Sequence, residues 1–290
     1  MKSEMKDFDV TFNTHETRTE DGKRMAIWTL DPSDGAQHAL PVVVGAGFAR
    51  RMDHLSAVAQ YCAYNGFRVT RYDPVNHVGL SEGQMEDFTM SESLRSLRAA
   101  VDWTCEHTGQ PQVAIVATSL TARIAFELAA QSDRVAVVVT AVGVVNLKRT
   151  LHCVFEVDYE TMVPEEIEGW AVFEGKKITP TPFARDAHEH RWWYVDECIE
   201  KLKRVKQPLI NFVGSADEWV DRDEVIKVFD EGTNGPRKLY TLDRAPHDLS
   251  RDPAVARTFL LRCIEELFTF QGLQAPVVEP PFEALSRQTL

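Results

Sequence analysis

Residues 113–128 read VAIVATSLTARIAFEL, and within them an apolar strand pattern gives way directly to a helical one. The change falls at Ser119, with no linker between the two patterns. A strand joined this closely to a helix requires a sharp backbone turn, and a serine at its apex has an exposed hydroxyl. The stretch therefore makes Ser119 a candidate nucleophile.

The usual form of this turn is G-x-S-x-G, because crowding favours glycine two positions on either side of the serine. Here those positions hold Ala117 and Thr121. Alanine is a small departure, whereas the β-branched Thr121 is a large one. Taken alone, the motif is equally compatible with Ser119 as the N-cap of a helix that begins at Leu120. Partners elsewhere in the chain must decide between the two.

A serine that transfers acyl groups needs a histidine as base and a carboxylate that orients the histidine. In a strand–turn–helix setting the chain order is serine, acid, histidine. Residues 208–213 form an apolar strand pattern, and the turn at 214–220 that follows reads GSADEWV. Because this architecture places its acid after a late strand, we predict Asp217 as the acid. We expect three nearby carboxylates to be solvated or to cap a helix: Glu218, Asp221 and Asp223.

The third place in that order is taken by His247. Residues 238–242 predict the next strand, and His247 stands in the loop before a long helical pattern. A histidine in the loop after the last strand can reach the serine, so His247 is the predicted base. The other histidines of the chain lie before Asp217 and do not fit the order; among them are His54, His77, His152, His188 and His190.

An oxyanion formed at Ser119 would need backbone N–H groups pointed at it. One comes from the residue after the nucleophile, Leu120, and a second from the loop after an early strand. The strand at 41–44 is followed by GAGFA at 45–49, from which we assign Phe48, with Ala49 as the alternative. The same loop is a poor phosphate cradle, because it falls short of G-x-G-x-x-G and no Walker lysine follows.

Strand and helix patterns alternate along most of the chain. Residues 8–30 predict an opening pair of strands; later come strands at 42–44, 67–72 and 135–139 and helices at 54–65 and 91–107. Such alternation predicts a mostly parallel central sheet flanked by helices, with ligands bound beyond the carboxyl ends of its strands. We therefore predict one α/β domain over residues 1–290, of the α/β-hydrolase class.

The alternation stops between residues 146 and 206, where these folds insert a cap. This segment is rich in large apolar side chains, which could form the wall of a site for a long acyl chain, since each buried CH₂ contributes about 0.8 kcal/mol. The alternative is that they pack the cap onto the core. We interpret the segment as a lid and substrate wall without assigning a single residue to the substrate; its large apolar residues are Leu151, Val154, Phe155, Trp170, Val172, Phe173, Phe183, Trp192, Trp193 and Tyr194.

Nearly the whole chain resembles the acyl transferases of bacterial bioluminescence, the myristoyl-acyl-carrier-protein thioesterases that supply fatty acid to an aldehyde-forming reductase complex. The resemblance is carried by GFARRMDH at 47–54, RYD at 71–73, HVGLS at 77–81, FTM at 88–90, ATSLTAR at 117–123, FARD at 183–186, DEWV at 217–220, HDL at 247–249 and EPPFE at 279–283. It implies that Ser119, Asp217 and His247 form the triad. It also implies acyl-carrier protein as a partner, with fatty-acid reductase subunits as a further one.

Some positions depart from the family pattern. Thr118 stands where the family has alanine and Thr121 where it has serine; Thr118 lies on the substrate side of the nucleophile, so we expect it to alter the fit of the acyl chain. Arg50 and Arg51 follow the oxyanion loop directly and are candidates to bind the phosphopantetheine phosphate or an acidic carrier surface. The alternative for these arginines is pairing with carboxylates of this acidic protein.

The overall composition fits a globular enzyme. Charged residues make up 26% and hydrophobic residues 44%, and the net charge of −12 argues against nucleic acid as the main partner. No apolar run approaches the ~18 residues of a membrane span, and the first residues carry no signal-peptide core, which predicts a cytoplasmic protein. Five cysteines without metal-ligand spacing predict reduced thiols.

The predicted activity is therefore cleavage of a long-chain fatty acyl thioester through a Ser119 acyl-enzyme, without a metal or cofactor. Two other functions remain open. One is a general carboxylesterase, or a thioesterase of another acyl pathway. The other is a noncatalytic binding protein built on a hydrolase scaffold, which the presence of all three triad residues disfavours.

Overall fold

A central eight-stranded sheet organises the computed structural model, which describes residues 10–32 and 38–286. Its order is β1-β2-β4-β3-β5-β6-β9-β10, and a separate hairpin pairs β7 with β8. The strands are β1 (Val10–Arg18), β2 (Arg24–Pro32), β3 (Val42–Gly45), β4 (Val69–Tyr72), β5 (Val113–Thr118), β6 (Val135–Ala141), β7 (Ala171–Phe173), β8 (Lys176–Ile178), β9 (Leu209–Gly214) and β10 (Arg237–Leu242).

The pairing of the strands confirms the predicted mostly parallel sheet. β1 is antiparallel to β2 and β2 to β4, whereas every later neighbour in the large sheet is parallel. β5 lies near the middle, between β3 and β6. The turn after β5 therefore opens at the centre of the carboxyl edge, where such sheets bind ligands.

Helices cover both faces of this sheet. They are α1 (Ser56–Tyr64), α2 (Met90–Thr108), α3 (Ser119–Gln131), α4 (Leu147–Phe155), α5 (Pro180–Glu189), α6 (Val195–Leu202), α7 (Arg222–Glu231), α8 (Pro253–Phe270) and α9 (Phe282–Ser286). Along β5 the side chains alternate between two cores: Ile115 packs with the α2 and α3 layer, and Val116 with the α1 and α8 layer. Both faces of β5 are thus buried, which explains its uninterrupted apolar run.

The predicted helices differ from the observed ones mainly at their ends. The helix expected from His54 begins at Ser56, because residues Met52–Leu55 form a 3-10 turn instead. That turn is anchored from outside, since the Met52 N–H donates to the buried Asp73 carboxylate at 2.7 Å. The helix expected over 91–107 gains one residue at each end; it is capped by the Thr89 hydroxyl and followed by Gly109, whose φ is 68°.

The segment between β6 and β9 holds α4, two short 3-10 turns, the β7–β8 hairpin, α5 and α6. Its large apolar residues differ in burial. Trp192 and Trp193 are buried in the main core and do not line the cavity at Ser119, so they pack the segment onto the core. Trp170 and Val172 are each 57% exposed. In the part of the chain that is described, no helix has the length and apolar character needed to cross a membrane.

Candidate active site

The serine singled out by the sequence occupies a strained turn. β5 ends at Thr118, α3 begins at Ser119, and Ser119 itself has a φ of 55°, in the left-handed region that non-glycine residues rarely adopt. A Cβ added to Gly47 would lie 3.2 Å from the Ser119 Cβ, so the loop after β3 approaches the turn closely. Strain of this kind persists only where the surroundings fix it and is frequent at functional sites.

The structure explains how Thr121 fits where glycine is usual. The Thr121 hydroxyl donates a hydrogen bond to the Ala46 carbonyl, which ties the first turn of α3 to the loop after β3. A Cβ added to Gly45 would lie only 2.7 Å from the Thr121 Cγ2. Gly45, at the end of β3, therefore leaves the room that the Thr121 side chain needs, so a glycine at position 121 is not required.

His247 lies within hydrogen-bond distance of the serine. Its Nε2 is 2.8 Å from the Ser119 Oγ, and the residue is only 6% exposed. The ring packs on Trp219 with 4.5 Å between centroids, and the backbone N–H donates to the Glu218 carboxylate at 3.1 Å. These contacts fix both the ring and the loop that carries it, so Nε2 is held within hydrogen-bond distance of the Ser119 Oγ.

Asp217 lies on the far side of the histidine, with its side chain fully buried. Its Oδ2 and Oδ1 are 2.9 Å and 3.0 Å from the His247 Nδ1. Oδ1 also accepts the backbone N–H groups of Trp219 and Val220, both at 2.9 Å. The carboxylate is therefore satisfied by N–H donors, and it favours the tautomer with the proton on Nδ1.

The neighbouring carboxylates only partly match expectation. Asp221 caps α7 by accepting the N–H groups of Asp223 and Glu224, as predicted. Glu218 is solvated, with 41% of its side chain exposed, and it also makes a tertiary contact: it accepts the His247 backbone N–H and lies 3.5 Å from Arg251. Although partial burial opposes the effect, hydrogen bonds from its own N–H and that of His247 lower the pKa of Glu218. The exposure of Glu218 is as expected, whereas its hydrogen bond to His247 was not predicted, because that contact is tertiary.

The predicted oxyanion donors both border the same cavity as Ser119. Leu120 lies in the first turn of α3, where backbone N–H groups have no acceptor within the helix. On the facing loop, the Ala49 N–H donates to the His77 Nε2 at 3.0 Å. Since Ala49 is occupied, Phe48 is the better of the two alternatives for the second donor.

A cavity of about 550 Å³ opens at Ser119, a size typical of sites for small ligands. Its walls come from two sides of the molecule. One side, formed by the segment between β6 and β9 and here called the cap side, includes Thr150 and Glu174 but is mostly apolar, with Leu147, Leu151, Val154, Phe155, Tyr159, Ala171, Phe173, Ile178 and Phe183. The apolar residues of the other side, near α1 and α8, are Leu55, Ala57, Val58, Leu249, Ala256, Phe259 and Leu260. Thr118 and Arg50 also line the cavity, whereas Arg51 does not.

Both arginines after the oxyanion loop have carboxylate partners. Arg50 binds Glu174 of the cap hairpin through Nη1 and Nη2, and its Nη2 is 3.7 Å from the Asp248 carboxylate. Arg51 pairs with Asp53. The structure thus shows the internal pairing that was the alternative to carrier binding. Among the described residues, no three His, Cys, Asp or Glu side chains come close enough to hold a metal ion.

Three residues of the site escaped the sequence reasoning. Chain order excludes His77, and no pattern singles out Trp219, yet His77 accepts the Ala49 N–H and Trp219 packs on the ring of His247. Glu218 is predicted only as a solvated or capping carboxylate, and its hydrogen bond to the His247 backbone is not predicted. The only available signal was proximity in sequence, since Glu218 and Trp219 directly follow the predicted acid.

Comparison with known proteins places the chain in a family. The profile of a family described as acyl transferase matches residues 12–290. Proteins named acyl transferase from Photobacterium phosphoreum and Vibrio harveyi are 35% and 34% identical over 281 residues, covering 95% of this chain and 92% of each relative. One from Aliivibrio fischeri is 34% identical over 292 residues, covering 99% of this chain and 94% of its own.

Solved structures share the fold at low sequence identity. The esterase Est1E from Butyrivibrio proteoclasticus, with ferulic acid bound, superposes with a TM-score of 0.72 at 17% identity, over 89% of this chain and 98% of its own. The α/β hydrolase GrgF from a Penicillium species gives 0.69 at 17% identity, over 91% and 100%. The fold is therefore that of the α/β hydrolases, as predicted, and by its sequence the chain belongs to the acyl transferase family.

Proposed function

We propose that this protein cleaves long-chain fatty acyl thioesters through an acyl-enzyme on Ser119. The observation that carries the proposal is the hydrogen-bonded series from Ser119 through His247 to Asp217, which opens directly into a largely apolar cavity. An exposed nucleophile, an oriented base and two candidate oxyanion donors are the parts that acyl transfer requires.

The reaction follows from the positions of these groups. His247 Nε2 takes the Ser119 proton while Oγ attacks the thioester carbonyl carbon, and the amides of Leu120 and Phe48 stabilise the oxyanion. The C–S bond then breaks, His247 returns the proton to the leaving sulfur, and an ester remains on Ser119. A water deprotonated by His247 attacks this ester, the fatty acid leaves, and Ser119 regains its proton. Asp217 holds the imidazole tautomer throughout.

We assign the acyl chain to the cap side of the cavity. The segment over 146–206 supplies most of the apolar wall there, through α4, the β7–β8 hairpin and α5. In this proposal the segment acts as a lid and wall for the alkyl chain, and Thr118 touches the chain near its carbonyl end. An apolar wall favours a long chain, because each buried CH₂ contributes about 0.8 kcal/mol.

The carrier of the acyl group is proposed to be acyl-carrier protein or coenzyme A. Arg50 borders the cavity and is 36% exposed on its side chain, so its ion pair with Glu174 can exchange for a pantetheine phosphate. Arg51 lies beside it with a more exposed side chain. Because three relatives named acyl transferase come from luminescent bacteria, we propose that the fatty acid serves aldehyde synthesis by reductase subunits.

A series of acyl thioesters of graded length tests this function. If the cap side binds the alkyl chain, kcat/KM rises by as much as ~4-fold per CH₂ until the cavity is full and then falls. Val154→Trp, which fills the cavity, should move the optimum to shorter chains. Val172→Trp is the matched control, since Val172 is exposed and does not line the cavity. A flat profile with the best activity on acetyl or butyryl esters would indicate a general carboxylesterase instead.

Substrates on two carriers test the role of the arginines. Arg50→Ala with Arg51→Ala should lower kcat/KM for acyl-carrier protein and coenzyme A thioesters and leave simple esters unchanged. Arg134→Ala is the control, because Arg134 directly precedes β6, at the opposite end of the sheet from the cavity. Equal losses on all substrates would mean that the two arginines support the oxyanion loop rather than bind a carrier.

A further inference from the structure

The oxyanion loop, residues 45–49, has a conformation that needs support. Arg50 N–H donates to the Gly47 carbonyl at 3.1 Å, which closes a tight turn, and Ala49 within it has a φ of 59°. A non-glycine residue in the left-handed region is strained and persists only where its neighbours fix it. The orientation of the Phe48 N–H depends on this turn, because it belongs to the same peptide group as the Gly47 carbonyl that accepts the Arg50 N–H.

The support comes from the loop after β4. The buried Ala49 N–H donates to the Nε2 of His77, which is 7% exposed, at 3.0 Å. The His77 ring packs against Phe88 and Phe48, with ring centroids 5.4 Å and 5.9 Å away. Burial lowers the pKa of His77 to about 4, so the imidazole is neutral near pH 7 and its Nε2 has a lone pair for the amide.

A second contact from the same loop holds the chain just beyond the oxyanion loop. The buried Asp73 carboxylate accepts the Met52 N–H at 2.7 Å and the Leu80 N–H at 2.8 Å. Gly79 allows this approach, because an added Cβ would lie 2.1 Å from an Asp73 oxygen. The loop from Asp73 to Leu80 is thus closed on itself and binds the segment after β3 at two amides, those of Ala49 and Met52.

We propose that His77 is a positioning residue of the oxyanion loop: its neutral imidazole holds the Ala49 amide in the left-handed turn and so fixes the Phe48 amide beside Ser119. The inference rests on the proposed acyl transfer. His77 touches no reacting atom in this account. It accepts the Ala49 N–H, so this amide cannot take the place of the Phe48 N–H beside Ser119, and it keeps the turn from relaxing.

Two amide variants separate this role from simple packing. In His77→Gln the side-chain oxygen can reach the position of Nε2, whereas in His77→Asn it reaches only that of Nδ1. Both variants bury the same polar group, so a general loss of stability affects both. Only His77→Asn should leave the Ala49 amide without an acceptor.

The experiment compares the affinities of two ligands. A nucleophilic serine attacks the carbonyl of a long-chain trifluoromethyl ketone, and the carbonyl oxygen becomes an oxyanion; a long-chain alcohol forms no such adduct. In His77→Asn, ketone affinity and kcat/KM should fall together by ~10²-fold to 10³-fold, the loss typical of one oxyanion donor. Alcohol affinity should stay unchanged, and His77→Gln should recover most of both losses. Equal behaviour of the two variants, or parallel losses for ketone and alcohol, would overturn the inference.

Wild-type protein and Ser119→Ala separate a failure of this inference from a failure of the proposed function. If neither wild type nor Ser119→Ala binds the ketone more tightly than the alcohol, the proposed nucleophile is wrong. If wild type binds the ketone tightly and His77→Asn does so equally, only the role of His77 is wrong. Amide hydrogen exchange in wild type gives a measurement that needs no variant: Ala49 should exchange slowly, and rapid exchange of this amide would contradict the inference.

Discussion

Replacing Asp217 by asparagine should invert the tautomer of His247. In the native site Oδ1 of Asp217 accepts the N–H groups of Trp219 and Val220, whereas Oδ2 faces only the His247 Nδ1, at 2.9 Å. The oxygen of an asparagine must stay at the Oδ1 position, because an NH₂ there would leave two buried N–H groups unpaired at ~1–3 kcal/mol each. The NH₂ group then faces Nδ1, so Nδ1 must accept and the proton moves to Nε2.

A protonated Nε2 cannot take the proton of Ser119. The same substitution in the serine-protease triad lowers kcat by ~10⁴-fold, which corresponds to about 5 kcal/mol, and we expect a loss of that order here. The assay is the burst of p-nitrophenol from a long-chain p-nitrophenyl ester, measured by stopped flow. Circular dichroism before and during unfolding establishes that the variant is folded.

Glu218→Gln is the matched control. Its side-chain oxygen can still accept the His247 N–H that Glu218 accepts at 3.1 Å, so the burst rate should stay within about fivefold of wild type. A folded Asp217→Asn variant within about tenfold of the wild-type rate would refute the reasoning from the tautomer. A large loss in Glu218→Gln alone would identify Glu218 as the orienting acid.

Two other predictions concern stability. Gly45→Ala should destabilise the fold by about 1–3 kcal/mol, because the added Cβ meets the Thr121 Cγ2, and Thr121→Ser in the same chain should recover much of the loss; additive effects in urea unfolding would contradict the contact. Burial lowers the folded-state pKa of His77 to about 4, so the unfolded chain gains this proton first as the pH falls. The unfolding free energy of wild type should therefore fall relative to His77→Gln, by up to about 3 kcal/mol, between pH 6.5 and pH 4, and parallel curves would show that His77 is not buried neutral.

The centre of the sheet was predictable because its strands are buried on both faces. Continuous apolar runs at β5, β6 and β9 leave few alternatives, and the alternation with helices fixes a parallel arrangement. The start of α1 was less predictable, since the 3-10 turn before it depends on a hydrogen bond from Met52 to Asp73. Contacts between residues distant in sequence leave no periodic signal.

In the candidate site, too, some residues were predictable from the sequence and others depend on tertiary contacts. The strand-to-helix transition selected Ser119, and chain order together with the preceding strands selected Asp217 and His247; the structure joins the three in one hydrogen-bonded series, although 128 residues separate the first from the last. The same rule excluded His77, because it considers only one use for a histidine. Thr121 counted against the motif in sequence, and the compensating residue, Gly45, lies on another strand. Pairing of Arg50 with Glu174 likewise depends on how the cap folds back over the core.

The most direct test of the central claim is the intact mass of protein quenched within milliseconds of mixing with a long-chain acyl thioester. Wild type should carry one acyl group, mapped by peptide analysis to Ser119, and Ser119→Ala should carry none. Cys153 is an exposed free thiol and could accept an acyl group by thioester exchange, so Cys153→Ala is the control and should acylate as wild type does. An adduct that persists in Ser119→Ala and disappears in Cys153→Ala would contradict the account.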